Sequence, residues 1–327
     1  MDPSASPNDA TVEPPFMELL VGAKTPLATD IWRFDLRHPQ GQPLPPFTAG
    51  AHLTVQTPAG MRRNYSLCSD PSDTVSYQIA VKRDAQGRGG SVSMVDRLQV
   101  GDTVSVSAPR NNFELHPKAE SFLFIAGGIG ITPILSMMRD LRRSGRAIFR
   151  LIYCTRDEAG TAFRDLLLSE FAEQVQLHHD HGDLDQAIDL WPEFENPGRA
   201  QVYCCGPRGL MDAVADMSGH WPSGAIHFES FGVDASQYAA NTAFTVHLHR
   251  SGTTILVGSD QSILEALRAH GHSVPSSCES GTCGTCRTNL LSGAPEHRDM
   301  VLMEDEKSQQ IMVCVSRAHG GELVLDL

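Results

Sequence analysis

The chain has 327 residues, too many for one ordinary domain, so two or three units that each bury a core are expected. Its composition, 41% hydrophobic and 20% charged, is that of a globular protein, and no apolar run is long enough to cross a bilayer. A formal net charge of -13 argues against a nucleic-acid partner, which calls for a basic footprint, and leaves any anionic ligand to be held by local features.

Residues 1–15, MDPSASPNDATVEPP, combine acids, prolines and small polar residues without the basic start and apolar stretch of a secretory signal. They read as a disordered tail, and the missing signal points to a soluble, cytoplasmic protein without a membrane partner. Eight cysteines in a chain of this length make no disulfide scaffold; clustered thiols in that compartment suggest metal instead.

From Met17 to Pro109 come short β-rich runs, IWRFDL, HLTVQT, YQIAVK and TVSVSAP, broken by Gly, Pro and Asp. Even spacing with period-two alternation predicts an antiparallel barrel or sandwich, bounded here as residues 16–115. Arg63-Asn64-Tyr65-Ser66 follows the HLTVQT strand. Further on, Gly87-Arg88-Gly89-Gly90-Ser91 offers a cation, flexible backbone and a hydroxyl, the ingredients of a phosphate nest. Taken singly, Tyr65 equally suits a barrel core and Arg88 a solvated hairpin.

The pattern changes in residues 116–231. SFLFIAG is a buried strand run leading into GGIGITP and the amphipathic ILSMMRDLRRSG; IFRLIYCT, a helical segment from Thr161 to Glu173, VQLHHD, a second helical stretch and QVYCCGP follow. Strands alternating with helices predict βαβ units and a parallel sheet. Gly127, Gly128 and Gly130, followed by Thr132 and Pro133, join strand to helix where backbone can approach a phosphate and a helix N-terminus offers free N–H groups. Such a turn is also a common structural device. Cys205-Gly206-Pro207 ends a later strand, so both turns fall at carboxyl ends of strands, where an open parallel sheet takes its ligand. Thr155 and Arg156 close the YCT strand; the acids Asp157 and Glu158 beside them disfavour a 2′-phosphate, while Arg156 pulls the other way.

GVDASQYAANTA, residues 232–243, reads as a linker to a last unit at 244–327: FTVHLHRSG, TTILV, the helical SILEALRAHG, a cysteine loop, then IMVCVSRA and ELVLDL. The loop places Cys278, Cys283 and Cys286 in C-x4-C-x2-C spacing, with Cys314 following on a predicted strand. That is the spacing of plant-type [2Fe–2S] ligation. Thiolates are soft enough for iron, and Gly281 and Gly284 let backbone N–H groups turn toward the sulfurs. The alternative is a structural zinc site, although zinc ligands generally come as two C-x2-C knuckles. Cys68, Cys154, Cys204 and Cys205 read as packed small hydrophobes.

With these motifs in this order, the last unit resembles a plant-type ferredoxin of β-grasp fold, and the two nucleotide turns resemble the NAD(P)-binding domain of the ferredoxin-NADP reductase superfamily. Beyond residues 1–15 the whole chain resembles the phthalate dioxygenase reductase family, which includes vanillate demethylase reductase. The resemblance implies that Arg63 holds a flavin phosphate, Tyr65 packs on the flavin and Ser66 hydrogen-bonds near its reactive N5. Asn64 shares that motif. Ala80, Val81 and Lys82 would line the flavin, Thr132 would reach it from the nucleotide loop, and Phe231 would lie by the ring. In that family the loop matching Gly87 to Ser91 binds the phosphate of FMN, and the ferredoxin module is C-terminal as here, so FMN is expected over FAD and NADH over NADPH. The implied function is reductase component of a Rieske non-haem iron oxygenase. A stand-alone one-electron carrier or redox sensor is the alternative.

Overall fold

The computed structural model describes residues 16–87, 89–222, 224–231, 241–276 and 278–327. The expected tail, Arg88 and residues 232–240 of the expected linker lie outside the described residues.

The first module is an antiparallel sheet of β1 (Met17–Ala28), β2 (Ile31–Arg37), β3 (His52–Gln56), β4 (Arg62–Ser66), β5 (Ser76–Lys82) and β6 (Thr103–Val106), in the order β4-β3-β6-β1-β2-β5. Its alternation sends Leu19, Val21, Phe34, Leu36, Leu53 and Val55 to one enclosed core. A bridge between Leu67 and Ile79 joins the two edge strands and closes the barrel, which removes the unpaired edges. One helix was not foreseen: α1 (Gly90–Arg97), whose polar, small-residue sequence hides an apolar face of Met94 and Val95. Lys24 on β1 donates to the carbonyls of Val95 and Leu98, so a cation sits at the negative end of this helix.

The second module is a parallel sheet of β7 (Ser121–Gly127), β8 (Ile148–Thr155), β9 (Val175–His179), β10 (Gln201–Cys205) and β11 (Ile226–Glu229), ordered β11-β10-β7-β8-β9. Its helices are α2 (Ile131–Ser144), α3 (Arg164–Glu170), α4 (Trp191–Phe194) and α5 (Arg208–Met217). The helix expected from Thr161 to Glu173 is shorter because Phe163 takes φ 60 at its start and Phe171 leaves helical geometry at its end. The second expected helical stretch shrinks to α4. Barrel and sheet share one core: Ile31, Ala49, Cys68 and Ala80 pack with Phe124, Ile134 and Tyr203. Arg139 and Ser136 on α2 donate to the carbonyls of Cys68 and Ser69 at 2.6 and 3.0 Å, stapling the helix to the chain just beyond β4.

The third module orders β12 (Phe244–Leu248), β13 (Thr253–Val257), β14 (Arg287–Glu296), β15 (Gln310–Met312) and β16 (Arg317–Leu325) as β13-β12-β16-β14-β15. Helix α6 (Ile263–Ala269), started by a capping box between Ser262 and Glu265, covers this β-grasp sheet. Cys314 lies in the turn after β15 and not on a strand as expected; the strand ends at Met312, so the thiol can face the cysteine loop. No helix among the described residues is long and apolar enough to cross a membrane.

Candidate functional site

The two glycine turns of the parallel sheet meet face to face. A Cβ added at Gly130 would lie 2.0 Å from the Cys205 carbonyl oxygen, and one at Gly127 would lie 2.5 Å from Pro207 Cδ. A Cβ added at Gly206 would in turn lie 2.9 Å from the Gly127 backbone. Only bare backbone fits between them, so both turns line one crevice at the carboxyl edge of β7 and β10. Gly128 takes φ 52, and its carbonyl accepts from the Tyr153 hydroxyl at 2.9 Å. The buried Thr132 hydroxyl donates to Ile129 O at 3.0 Å and tightens the turn, with buried Pro133 beside it.

Along the same edge, Thr155 Oγ1 sits in a buried set with Thr161 Oγ1 at 2.7 Å and His179 Nδ1 at 2.9 Å. Arg156 is exposed beside it. Both neighbouring acids are engaged locally: Asp157 accepts from the Gly160 N–H and Glu158 pairs with Arg164.

On the barrel, β4 carries the whole Arg63 to Ser66 motif. Tyr65 is half-buried against the barrel core, and burial pushes its hydroxyl up to about 12. Asn64 accepts from Thr54 Oγ1 at the surface. Arg63 lies against Gly90, whose added Cβ would meet its Cγ and Nε at 3.2 Å. Gly89, at φ 86, precedes α1 without a side-chain cap, so the first N–H groups of this helix open beside the Arg63 guanidinium. Ser91 Oγ accepts from the Asp84 N–H. On β5, Ala80 is buried at the seam of barrel and sheet, Val81 is enclosed in the barrel core, and Lys82 is exposed. Val81 can therefore meet a ring only through its main chain. Phe231 is 42% exposed at the end of the second module.

Ser66 marks what the sequence concealed. Its hydroxyl donates to Glu229 Oε2 at 3.3 Å, across 163 positions of chain. Glu229, the last residue of β11, is buried, and that burial pushes its carboxyl up to about 8. A lone acid in the aromatic run HFESF was the available signal. His52, opposite Ser66 in the β3–β4 register, is also buried; burial and then Arg110 lower it to about 4.

An unfolded glutamate titrates near 4.3. Glu229 thus holds its proton more tightly folded than unfolded, and its contribution is full below about pH 4.3 and lost as pH rises through about 8. Glu229→Gln is expected to gain stability over the parent by a few kcal/mol between pH 5.5 and pH 8.5 in urea unfolding. Parallel curves at both pH values would refute a buried neutral acid.

The cysteine loop is shaped for sulfur. Glu279, Gly281 and Gly284 take φ of 52, 78 and 78, turning backbone donors inward. The Ser280 and Thr282 N–H groups donate to Cys278 Sγ, and the Cys278 N–H to Cys283 Sγ, each at 3.4 Å. The thiols form two pairs. The Cys283 thiol, with those N–H groups, holds Cys278 down to about 4 while Cys283 itself is raised; Cys314 lowers Cys286 and is raised in return. Among the described residues no three His, Cys, Asp or Glu side chains converge on one point as a single ion requires. Two pairs of thiols with inward N–H donors fit a binuclear cluster, in which each iron takes two thiolates. The remaining cysteines, Cys68, Cys154, Cys204 and Cys205, are raised by burial and lie in apolar packing.

This loop packs on the second module: Ser280 Oγ donates to Ser230 O at 2.8 Å, one residue beyond Glu229. A cavity of about 300 Å³ lies alongside, lined by Phe113, His227, Phe228, Thr282 and Met300.

A flavin-type barrel, a nucleotide sheet and a ferredoxin module meeting at one point define an oxidoreductase that couples a flavin to an iron–sulfur centre. Residues 18–115 match the oxidoreductase FAD-binding domain and 246–319 the 2Fe-2S iron-sulfur cluster binding domain. Over 314 residues the chain is 60% identical to the phthalate 4,5-dioxygenase oxygenase reductase subunit of Pseudomonas putida, covering 95% of this chain and 97% of that one. It is 58% identical to the phthalate dioxygenase reductase of Burkholderia cepacia, covering 95% and 98%. The solved structure of a phthalate dioxygenase reductase, described as modular for electron transfer from pyridine nucleotides to [2Fe-2S], superposes with TM-score 0.78 at 57% identity over 95% of this chain and 98% of that one. The chain belongs to the phthalate dioxygenase reductase family.

Proposed function

We propose that this protein is the NADH-dependent reductase component of a Rieske-type aromatic-ring dioxygenase or O-demethylase system, with FMN as its flavin and a [2Fe–2S] cluster as its exit. The observation that carries the reading is the succession Ser66, Glu229, Ser230, Ser280, in which the flavin strand, the last strand of the nucleotide sheet and the cysteine loop touch in turn. Relatives named as reductase subunits of dioxygenase and demethylase systems support the oxygenase partner.

A flavin bound here would supply the conversion of a hydride pair from reduced nicotinamide into single electrons, and a cluster on the cysteine loop would supply one-electron carriage. The chain supplies position. Gly127, Gly128 and Gly130 admit the pyrophosphate, Gly206 and Pro207 place the nicotinamide end, and Thr155 and Arg156 meet the adenosine ribose. Arg63, Arg88, Gly89, Gly90 and Ser91 would hold the flavin phosphate; the glycine-led start of α1 beside Arg63 suits a terminal phosphate and, with the C-terminal ferredoxin module, supports FMN over FAD. Tyr65, Ala80, Val81, Lys82 and Phe231 surround the ring, with Ser66 and Thr132 at its reactive edge. Cys278, Cys283, Cys286 and Cys314 hold the iron. The modules are taken as residues 16–115, 116–231 and 244–327, the last following a linker at 232–243.

Purified protein is expected to show flavin bands and a broad reddish cluster shoulder, both bleached by NADH and much less efficiently by NADPH. Colourless material lacking iron and inorganic sulfide after anaerobic preparation would end the proposal. Arg63→Ala removes a charge-assisted contact of roughly 1.5–3 kcal/mol and should weaken FMN retention by about ten- to a hundredfold in equilibrium dialysis. Unchanged FMN content would place the phosphate elsewhere.

A further inference from the structure

Immediately after the Cys205-Gly206-Pro207 turn stands Arg208, the first residue of α5. A cation there opposes the helix dipole, and no acid lies in that first turn to offset it. Asp212 one turn on accepts from Arg208 Nε at 2.7 Å, but a cation N-terminal to its anion is the weaker order of an i,i+4 pair. Local helix energetics therefore do not account for an arginine here. Its other end does something else: Nη1 donates to the Arg298 carbonyl of the ferredoxin module at 2.8 Å.

That carbonyl is firmly set. The Arg298 side chain is bonded to Glu296 and Asn241, and its N–H donates to Ser316 Oγ at 3.3 Å. Asp299 follows, its carboxylate accepting the Val301 and Leu302 N–H groups and its Cα pressed on Gly281, where an added Cβ would come within 3.1 Å. Met300 N–H then donates to Gly281 O at 3.0 Å, inside the cysteine loop between Cys278 and Cys283. At the near end, Pro207 is wedged against Gly127, so a shift of either nucleotide turn moves the start of α5. A contiguous run of close contacts thus leads from the nucleotide crevice through Arg208, Arg298 and Met300 to the loop that carries the thiols.

We propose that Arg208 is a positioning residue that ties the seating of the cysteine loop to occupancy of the nucleotide crevice. Coupling of this kind is reciprocal: a nucleotide that steadies the Cys205–Pro207 turn steadies the loop, and a well-seated loop favours the nucleotide. The inference rests on the reading of that turn as the nicotinamide end of the site.

The test is hydrogen exchange on the full chain carrying flavin and cluster, with and without NAD+, for the wild type and Arg208→Ala, joined to anaerobic stopped-flow reduction by NADH. In the wild type NAD+ is expected to slow exchange at residues 127–133 and 205–207 and also, by about fivefold, at 280–284 and 298–302. In Arg208→Ala the first two stretches still respond, the last two do not, and the cluster bleaches about tenfold more slowly after a flavin step of normal rate. Arg208→Lys, which can still reach a carbonyl, should recover part of the response, and Asp212→Asn should keep all of it. A full NAD+ response at 280–284 and 298–302 in Arg208→Ala, or loss of it in Asp212→Asn, overturns the proposal. Absence of protection at both turns in the wild type would overturn the nucleotide reading and the proposal with it.

Discussion

Replacing Cys283 with serine is expected to abolish electron delivery to a cytochrome or oxygenase while NADH still reduces a small dye that takes electrons directly from the flavin. Cys283 accepts the Cys278 N–H and pairs with the Cys278 thiol in the loop whose Ser280 bonds to Ser230 of the second module. A serine oxygen is hard and stays protonated, and iron bound through sulfur is lost with it. One-electron turnover and iron content should fall by roughly 100-fold, and dye reduction should stay within about twofold. Equal loss of both activities would contradict separate sites for the flavin and the cluster.

The second large effect is expected at Gly130, where alanine adds a single methyl group. Its φ of −60 suits any residue, so backbone strain is not at issue. Sterics are. The added carbon would fall 2.0 Å from the Cys205 carbonyl oxygen and 2.9 Å from Gly206 N, both main-chain atoms that no rotamer change can remove. The two turns must part, at a cost of about 3 kcal/mol or more in stability or nucleotide affinity. Gly130→Ala should retain flavin and cluster and respond normally to dithionite, yet need roughly 100-fold more NADH for half-maximal bleaching. An NADH titration matching the wild type would show that the turns do not form the nucleotide crevice.

How much of this was legible follows from how local each feature is. The Arg63 to Ser66 motif, the GGIGITP turn and the cysteine spacing are runs of adjacent residues whose chemistry needs only a short stretch of backbone to arrange, and the structure brings the first and the last of them onto neighbouring residues of the second module, Glu229 and Ser230. Glu229 was not legible because nothing in HFESF distinguishes a solvated strand acid from a buried one; only the burial of the end of β11 against the barrel makes it neutral, in opposition to the hydrogen bond from Ser66, which favours the charged form. Helix α1 escaped because GSVSMVDR carries too weak an apolar stripe to read alone, and the barrel core and Lys24 complete it. Cys314 was misplaced by a strand pattern that runs on past Met312, where the need to face three other thiols bends the chain.

The sequence by itself determined the three modules, their order and the residue types at each centre, since period-two alternation, strand–helix alternation and ligand spacing are properties of neighbouring residues. Tertiary structure alone decided which atoms of different modules touch: Ser66 with Glu229, Ser280 with Ser230, Arg208 with the Arg298 carbonyl. The partners in these pairs stand 163, 50 and 90 positions apart. Contacts at such separations depend on how whole modules pack, and no periodicity in the chain encodes them.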